Sequence, residues 1–249
     1  MPSILEAFRE DQYRLGELQV RMYTPQTRDQ WPEDFIGQLY MKLKGDRYGN
    51  RPNGTGILEY LFCGMSDLSY PAIVGYIANR PLVVLGVWER DPEGDFFREA
   101  GFAFPVTLTG EAPDRSGFFG YGIFREFWGN PMMEPLVMLG LAAIFSEFKL
   151  EAVHGLRYAQ NDLTARYVRR YGFRDNGTIP AYMLRKGKLV SAVSSTLMRE
   201  DFERYVENAL VEGIRDGQPE PASPKPDAQP EPEPEPSPMP LFDGIPRFR

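Results

Sequence analysis

The segment from residue 120 to residue 178 is the part of the chain that most restricts the fold. It starts with a run of glycines and aromatic residues, turns at Trp128-Gly129, and continues into a long apolar stretch of helical character. A run typical of a strand follows at residues 153–158, and a further helical pattern ends at Gly172-Phe173. This order predicts two strands that are joined by one helix and followed by another.

Alternating and helical patterns outside this segment predict an antiparallel meander with helices around it. Strands are expected at residues 18–23, 82–88, 100–108 and 117–124, and helices at residues 32–43 and 57–63. After the segment, residues 181–184 and 190–197 are expected to pair, and a helix over residues 200–214 closes the domain. The predicted fold class is α/β (α+β), with a mixed, mostly antiparallel sheet flanked by helices.

The chain divides into a folded domain over residues 1–216, a Pro- and Glu-rich linker over residues 217–240, and a short apolar peptide over residues 241–249. Ten of the 22 residues from 219 to 240 are proline, which fixes φ and removes a donor, so the linker is expected to be extended. The final peptide is either a docking motif for a protein partner or the end of a disordered tail.

The composition excludes several function classes. A formal net charge of −7 does not suit non-specific nucleic-acid binding, which relies on Lys and Arg at phosphates. The single cysteine, Cys63, excludes an internal disulfide and fits a reducing compartment. The longest apolar run, residues 136–145, is about half a membrane span, and the first residues do not resemble a secretory signal. We expect a soluble, cytoplasmic protein that does not enter a membrane.

Several short motifs occur together between residues 120 and 178. The run GYGIFREFWGNPMMEPL begins at Gly120, Asn161 and Thr164 form an N-x-x-T pattern, and residues 172–178 read GFRDNGT. In this combination the chain resembles the GNAT family of acyl-CoA-dependent N-acyltransferases, in the branch that modifies ribosomal-protein N-termini and related amines. The resemblance implies a GNAT-like mixed sheet and transfer of an acyl group from acetyl-CoA.

The resemblance also implies where acetyl-CoA, the acyl donor, binds. Its pyrophosphate is expected at the turn that opens the long helix, because backbone N–H groups and the helix dipole bind anions there. Its pantetheine arm is expected between strands 120–124 and 153–158. Arg166, Arg169 and Arg170 share a helix face that either binds the 3′-phosphate or is an ordinary solvated face. The implied cofactor contacts are Ile123, Phe124, Trp128, Gly129, Asn130, Met132, Asn161, Arg166 and Arg169.

The turn departs from the family pattern at two prolines. Pro131 stands where the family has its second glycine, and it has no N–H to give to a phosphate. Pro135 fits only within the first helical turn, so the helix is expected to begin near Met132 or Met133. Alternatively, Asn130 caps an ordinary helix that has Pro131 at its first position. The turn has therefore either kept a weakened anion site or lost it.

Three residues are candidates for proton transfer. Thr164 matches a family serine that can protonate the leaving thiolate, whereas the position at which other branches have a tyrosine is Val168. Glu99 and Glu126 are candidates, by position only, for the base that accepts the amine proton, or they are ordinary surface carboxylates. The only histidine, His154, begins a predicted strand with no second ligand spaced for a metal, so a structural role is expected.

Two functions from different classes are compatible with these residues. The first is an N-acetyltransferase that moves an acetyl group from acetyl-CoA to a protein N-terminus, a lysine or a small-molecule amine. The second is a catalytically degenerate protein that keeps the GNAT fold within a larger assembly, for example a viral one, and docks through its C-terminal tail. A nucleic-acid-modifying relative is a weaker idea because the chain is acidic. A homodimer through the last helix or the sheet edge is compatible with either function.

Overall fold

The structure is a computed structural model that describes residues 5, 8–9, 12–45, 69–78, 80–91, 94–112, 114–185 and 188–215. Its helices are α1 (Phe35–Gly45), α2 (Tyr70–Ala78), α3 (Met133–Glu147), α4 (Asp162–Arg170) and α5 (Arg199–Arg215). Its strands are β1 (Arg14–Leu15), β2 (Leu18–Tyr23), β3 (Leu82–Asp91), β4 (Gly94–Thr109), β5 (Ser116–Ile123), β6 (Ala152–Tyr158), β7 (Arg174–Arg185) and β8 (Lys188–Met198). Short 3-10 helices cover Pro25–Gln30 and Arg125–Phe127.

The described strands form one sheet in the order β1-β2-β3-β4-β5-β6-β8-β7. Strands β1 to β5 form an antiparallel meander, β5 and β6 are parallel, and β8 lies antiparallel between β6 and β7. The parallel pair exists because α3 returns the chain to the same end of the sheet, as a parallel connection requires. The predicted mixed, mostly antiparallel sheet is confirmed.

Helices cover the sheet on both faces. On one face, Tyr76 of α2 meets Phe104 of β4 edge to face, with ring centroids 6.1 Å apart. On the other face, Phe148 at the end of α3 packs against Phe119 of β5, with ring centroids 5.3 Å apart. Successive side chains of a strand point to opposite faces, so one strand supplies both layers. We call these two sides of the sheet the α1/α2 face and the α3 face.

Helix α3 is apolar from Leu136 to Phe145, and it packs both on the sheet and on α5. Phe145 is fully buried and stacks on Phe202 of α5, with ring centroids 5.4 Å apart. Gly140 lets the helix approach the sheet closely, since a Cβ atom there would be only 2.5 Å from the side chain of Leu85 in β3. No helix within the described residues is long and apolar enough to cross a membrane.

Most predicted elements are present, with shifted ends. The helix predicted at residues 32–43 begins at Phe35, because a separate 3-10 helix precedes it and is capped by the side chain of Thr24. The strand predicted at residues 181–184 begins earlier, at Arg174, and pairs with β8 through two register shifts. The helix predicted at residues 57–63, the linker and the C-terminal peptide lie outside the described residues.

Candidate functional site

A wedge-shaped gap separates β5 from β6. The two parallel strands are paired only over residues 116–118 and 152–154. Beyond that point, β5 continues along β4 and β6 continues along β8, and the described residues show no pairing between β5 and β6. The gap opens toward the C-terminal ends of both strands, where the chain turns into α3 and α4. In open sheets with parallel strands, ligands bind outside these carboxyl ends.

Strand β5 turns alternate backbone groups toward this gap. The N–H of Phe124 donates to the carbonyl of Ala100 in β4 at 2.9 Å. The backbone N–H and C=O groups of successive residues in a strand point to opposite neighbours. Those of Tyr121 and Ile123 therefore point toward β6. The carbonyl of Ile123 accepts a hydrogen bond from the indole Nε1 of Trp128 at 2.9 Å. The backbone of Ile123 therefore faces the gap, whereas the backbone N–H of Phe124 faces β4.

Strand β6 presents backbone groups from the opposite side. The N–H of Ala159 donates to the carbonyl of Ser191 in β8 at 3.0 Å, so by alternation the backbone groups of Leu156 and Tyr158 face the gap. The carbonyl of Tyr158 accepts the N–H of Asn161 at 2.9 Å where the chain turns into α4. A polar, extended molecule can lie between the two strands and hydrogen-bond to them as an added strand does.

The turn between β5 and α3 uses several of its own amides. The N–H of Met132 donates to the side-chain oxygen Oδ1 of Asn130 at 2.9 Å, and the N–H of Met133 donates to the Asn130 carbonyl at 3.0 Å. Pro131 and Pro135 have no N–H to donate. Helix α3 begins at Met133, which confirms the predicted late start. The alternative in which Asn130 caps a helix that starts at Pro131 is wrong, because Met132 occupies the cap position.

The described residues provide no acceptor for two N–H groups at this turn, those of Gly129 and Glu134. Gly129 is exposed and has a φ of +75°, a conformation that glycine adopts without strain. The carboxylate of Glu134 is bonded to Arg170 at 2.8 Å and to the hydroxyl of Tyr205 at 3.0 Å. Burial and the hydrogen bond to Glu134 raise the pKa of Tyr205 to about 12, so this hydroxyl stays a donor at neutral pH. Arg170 thus offsets a negative charge that would repel a phosphate.

The arginines of α4 differ in what they contact. Arg169 is 2.7 Å from the carboxylate of Asp175, and Arg170 is bonded to Glu134. Arg166 is exposed and has no ion-pair partner among the residues that the structure describes. Among the described residues, Arg169 and Arg170 have ion-pair partners and Arg166 has none, so Arg166 is the arginine of this set that the described contacts leave to a phosphate.

Asn161 and Thr164 lie together at the start of α4. The side-chain oxygen of Asn161 accepts the N–H of Thr164 at 3.1 Å, so Asn161 is the N-cap of this helix. The Thr164 side chain is half-buried, and Val168, at the position of the tyrosine of other branches, points into the core. Asn161 therefore positions α4 beside the gap.

Replacing Asn161 with alanine should lower the free energy of unfolding by about 1 kcal/mol, because one helix N–H loses its acceptor. Urea denaturation of the full chain measures this change, with exposed Gln160 replaced by alanine as the control. Equal stabilities of the two variants would show that the cap does not matter.

Lys42 of α1 brings the two candidate bases together. Its ammonium is 3.5 Å from the carboxylate of Glu126 and 4.0 Å from that of Glu99. Arg98 also contacts Glu126, at 3.3 Å. This group lies on the α1/α2 face beside Phe124, whose ring centroid is 4.3 Å from the ammonium. Sequence reasoning missed Lys42, because nothing local marks a lysine that is distant in sequence from its partners.

His154 has the surroundings of a structural histidine. Its Nδ1 lies 2.7 Å from the hydroxyl of Thr196, and its ring packs against Phe118. Burial lowers the pKa of His154, so the ring is neutral at pH 7. Within the described residues, no group of three or more His, Cys, Asp or Glu side chains is placed to hold a metal ion.

A surface cavity of about 330 Å³ lies elsewhere, where β8 meets α5. Its charged lining is internally paired, since Arg174 and Arg204 contact Asp201 and Arg199 contacts Glu151. It lies at the N-terminal end of β6, whereas the gap opens at the C-terminal end of this strand. The lining residues are Glu151, Arg174, Met198, Arg199, Glu200, Asp201 and Arg204.

No protein-family model and no curated protein sequence matches this chain. Solved structures of acetyltransferases do match it. A variant of the spermidine N-acetyltransferase SpeG from Vibrio cholerae is 12% identical, with 78% of this chain and 99% of that chain covered and a TM-score of 0.52. The ribosomal-protein-S5-alanine acetyltransferase from Vibrio fischeri is 14% identical, with 76% and 97% covered and a TM-score of 0.51.

At such low identities these likenesses concern the backbone and not the site residues. They cover nearly the whole of each acetyltransferase and about three quarters of this chain. The chain therefore has the GNAT N-acetyltransferase fold.

Proposed function

We propose that this protein is an N-acetyltransferase that moves an acetyl group from acetyl-CoA to an amine. The observation that supports this function is the gap between β5 and β6, which opens at the start of α3. A long ligand with amide groups in its arm and phosphates at its end suits such a gap. The arm would meet the backbone of Ile123 and Leu156, and the phosphates would meet the helix start.

The chain's own residues fit this ligand in part. The N–H of Ile123 and the backbone groups of Leu156 face the gap, and the N–H groups of Gly129 and Glu134 face no other acceptor among the described residues. Arg166 supplies a positive charge on α4 that no carboxylate of the described residues pairs with. The missing N–H of Pro131 and the occupied N–H of Met132 weaken the phosphate end.

Acetyl-CoA supplies a thioester carbon that an amine can attack directly. The C–N bond forms as the C–S bond breaks, and the amine loses a proton. Glu126 or Glu99 would accept this proton, directly or through water, after Lys42 moves away from them. Thr164, beside the start of α4, would hydrogen-bond to the departing sulfur.

Titration of acetyl-CoA into the full chain by calorimetry tests the proposal. We expect a dissociation constant on the order of 10 μM, which corresponds to an ordinary cofactor affinity. Gly129→Trp should abolish binding, because its side chain would fill the space in front of the helix start. Gly16→Trp is the matched control: Gly16 also has a positive φ and open space around its Cβ position, and it lies at the far edge of the sheet. No heat at millimolar acetyl-CoA would contradict the proposal.

Pro131→Gly should bind acetyl-CoA about tenfold more tightly than the parent chain, because one N–H returns to the anion site and a hydrogen bond to a charged group is gained. Pro180→Gly on β7 serves as the control for the loss of a proline. Equal affinities in all three proteins would show that Pro131 does not limit phosphate binding.

A second candidate function is a catalytically inactive GNAT-fold protein that acts by binding a partner. The observation that favours it is the turn itself, because Asn130 already satisfies the N–H of Met132. In this case residues 241–249 would dock on a protein partner through the proline-rich tether. Deletion of residues 217–249 would then abolish a partner interaction and leave the melting temperature unchanged, and acetyl-CoA would not bind.

A further inference from the structure

The ammonium of Lys42 is held by four groups at once. The carbonyl oxygen of Glu99 accepts a hydrogen bond from Nζ at 3.0 Å. The carboxylates of Glu126 and Glu99 are 3.5 Å and 4.0 Å away, and the ring of Phe124 lies at 4.3 Å. Carboxylates, a carbonyl and an aromatic face are the groups that recognise a primary ammonium in proteins. We call these groups, without Lys42 itself, the ammonium site.

The charges around the ammonium site remain negative once Lys42 is excluded. Arg98 contacts Glu126 at 3.3 Å and Glu89 at 2.9 Å, and it lies over the ring of Phe127. Among the described residues, three carboxylates, those of Glu89, Glu99 and Glu126, therefore share one remaining cation, Arg98. Lys42 is a second cation, and it offsets part of this negative charge.

Lys42 is also the cation that can leave. Its side chain is 30% exposed and ends in a compact ammonium on a flexible four-carbon stem. Arg98, by contrast, is fixed by two carboxylates and a ring. Lys42 comes from α1, whereas the groups that hold it belong to β4 and to the segment that follows β5, where Phe124 precedes the 3-10 helix that contains Glu126. The ammonium site would thus persist if the lysine moved out.

The position of the ammonium site relates it to the gap. Phe124 directly follows Ile123, whose backbone faces the gap, and its side chain lies on the α1/α2 face. An amine held there would approach β5 from the face opposite α3. The donor's phosphates would meet the start of α3, so donor and amine need not compete for one surface.

We propose that the ammonium site binds the primary ammonium of an acceptor amine, and that Lys42 is an internal occupant which the acceptor displaces. The ligand class is an alkylammonium, such as a lysine side chain or a diamine. Its role as an acceptor site rests on the proposed acetyl transfer. Binding of the ammonium itself does not, because it requires no acetyl-CoA.

Calorimetry with pentane-1,5-diamine as the probe, without acetyl-CoA, tests this inference on the full chain. Lys42→Met should bind the diamine about tenfold more tightly than the parent chain, because the internal competitor is removed and two carboxylates are left without it. Lys42→Met combined with Glu126→Gln should lose this gain. Lys44→Met is the matched control, since Lys44 lies on the same helix over Tyr40 and away from the ammonium site. It should bind like the parent chain.

Equal diamine affinities of the parent chain and Lys42→Met would overturn the inference, and so would an equal gain in Lys44→Met, which would indicate general charge attraction. Lys42→Gln repeats the test with a side chain that keeps a polar end, in case the methionine variant is poorly folded. A higher diamine affinity of Lys42→Met without any binding of acetyl-CoA would support the ammonium site and contradict the proposed acetyl transfer. Binding of acetyl-CoA without a higher diamine affinity of Lys42→Met would support the acetyl transfer and contradict the ammonium site.

Discussion

Replacing Phe145 with alanine should lower the free energy of unfolding by about 4 kcal/mol, because it leaves a cavity at the centre of the α3 layer. The Phe145 ring is fully buried, and it stacks on Phe202 of α5 at 5.4 Å. The guanidinium of Arg199 lies over the same ring at 5.6 Å. One truncation therefore removes contacts that join α3 to α5.

Urea denaturation at 25 °C measures this loss. The matched control is Phe96→Ala on β4, because Phe96 is 41% exposed and its truncation leaves no cavity. We expect a change below about 1 kcal/mol for the control. A similar loss in both variants would mean that α3 is not packed between the sheet and α5.

Replacing Asp175 with alanine should lower the free energy of unfolding by about 3 kcal/mol, because it leaves the charge of Arg157 buried without a partner. Arg157 lies on β6 with a side chain that is 6% exposed, and its Nη2 is 2.8 Å from the Asp175 carboxylate. The Nε of Arg157 has no partner among the described residues, so Asp175 is its main counter-charge. The same carboxylate binds Arg169 of α4 and the hydroxyl of Ser195.

This carboxylate also predicts an acid dependence of stability. Burial raises the pKa of Asp175, but hydrogen bonds from Ser195 and Arg169 and the charges of Arg157 and Arg169 outweigh it, so the pKa lies below its usual value. A carboxyl whose folded-state pKa is lowered stabilises the fold above its unfolded pKa of about 3.9. That stability is lost as the pH falls through the folded pKa.

The matched comparison is the parent chain against Asp175→Asn between pH 3 and pH 7. We expect the difference in unfolding free energy to be constant above about pH 5 and to shrink below about pH 4. Arg157→Met in the Asp175→Ala background should recover part of the loss, because the buried charge is removed together with its partner. A pH-independent difference would show that Asp175 acts without its charge.

Phe145 and Asp175 both support the frame of the gap. Phe145 joins α3 to α5, and α3 begins at one side of the gap. Asp175 ties β7 to Arg157 on β6 and to Arg169 on α4, and α4 begins at the other side. Loss of either contact should therefore weaken the binding of any ligand that contacts the starts of both α3 and α4.

Local chemistry made several elements predictable. The alternation at Leu18–Tyr23 predicted β2 with its correct ends, because the alternate side chains of an edge-side strand face core and solvent. Pro135 placed the start of α3 near Met133, since proline is tolerated only in a first turn. The Asn130-Pro131 pair is a turn signal that could also have predicted the bond from the Met132 N–H to Asn130.

Other features were not visible in the sequence. The first half of β7 reads RDNGTIP, which has no alternation, because this strand lies at the sheet edge and gains its order from pairing with β8. The 3-10 helix after Thr24 was missed because short capped turns have no hydrophobic period. The assignment of Glu99 and Glu126 as separate candidates also missed that Lys42 holds both.

The sequence by itself determined the type and approximate position of most strands and helices, since side-chain period, glycine and proline act within a few neighbouring residues. It also determined that the turn before α3 has fewer donors than the family pattern, because proline lacks an N–H wherever it is placed. Only the tertiary structure decided that β5 and β6 separate after three residue pairs and that Lys42 lies between two carboxylates. These features depend on the packing of strands and helices that are far apart in the sequence, and no local sequence pattern specifies that packing.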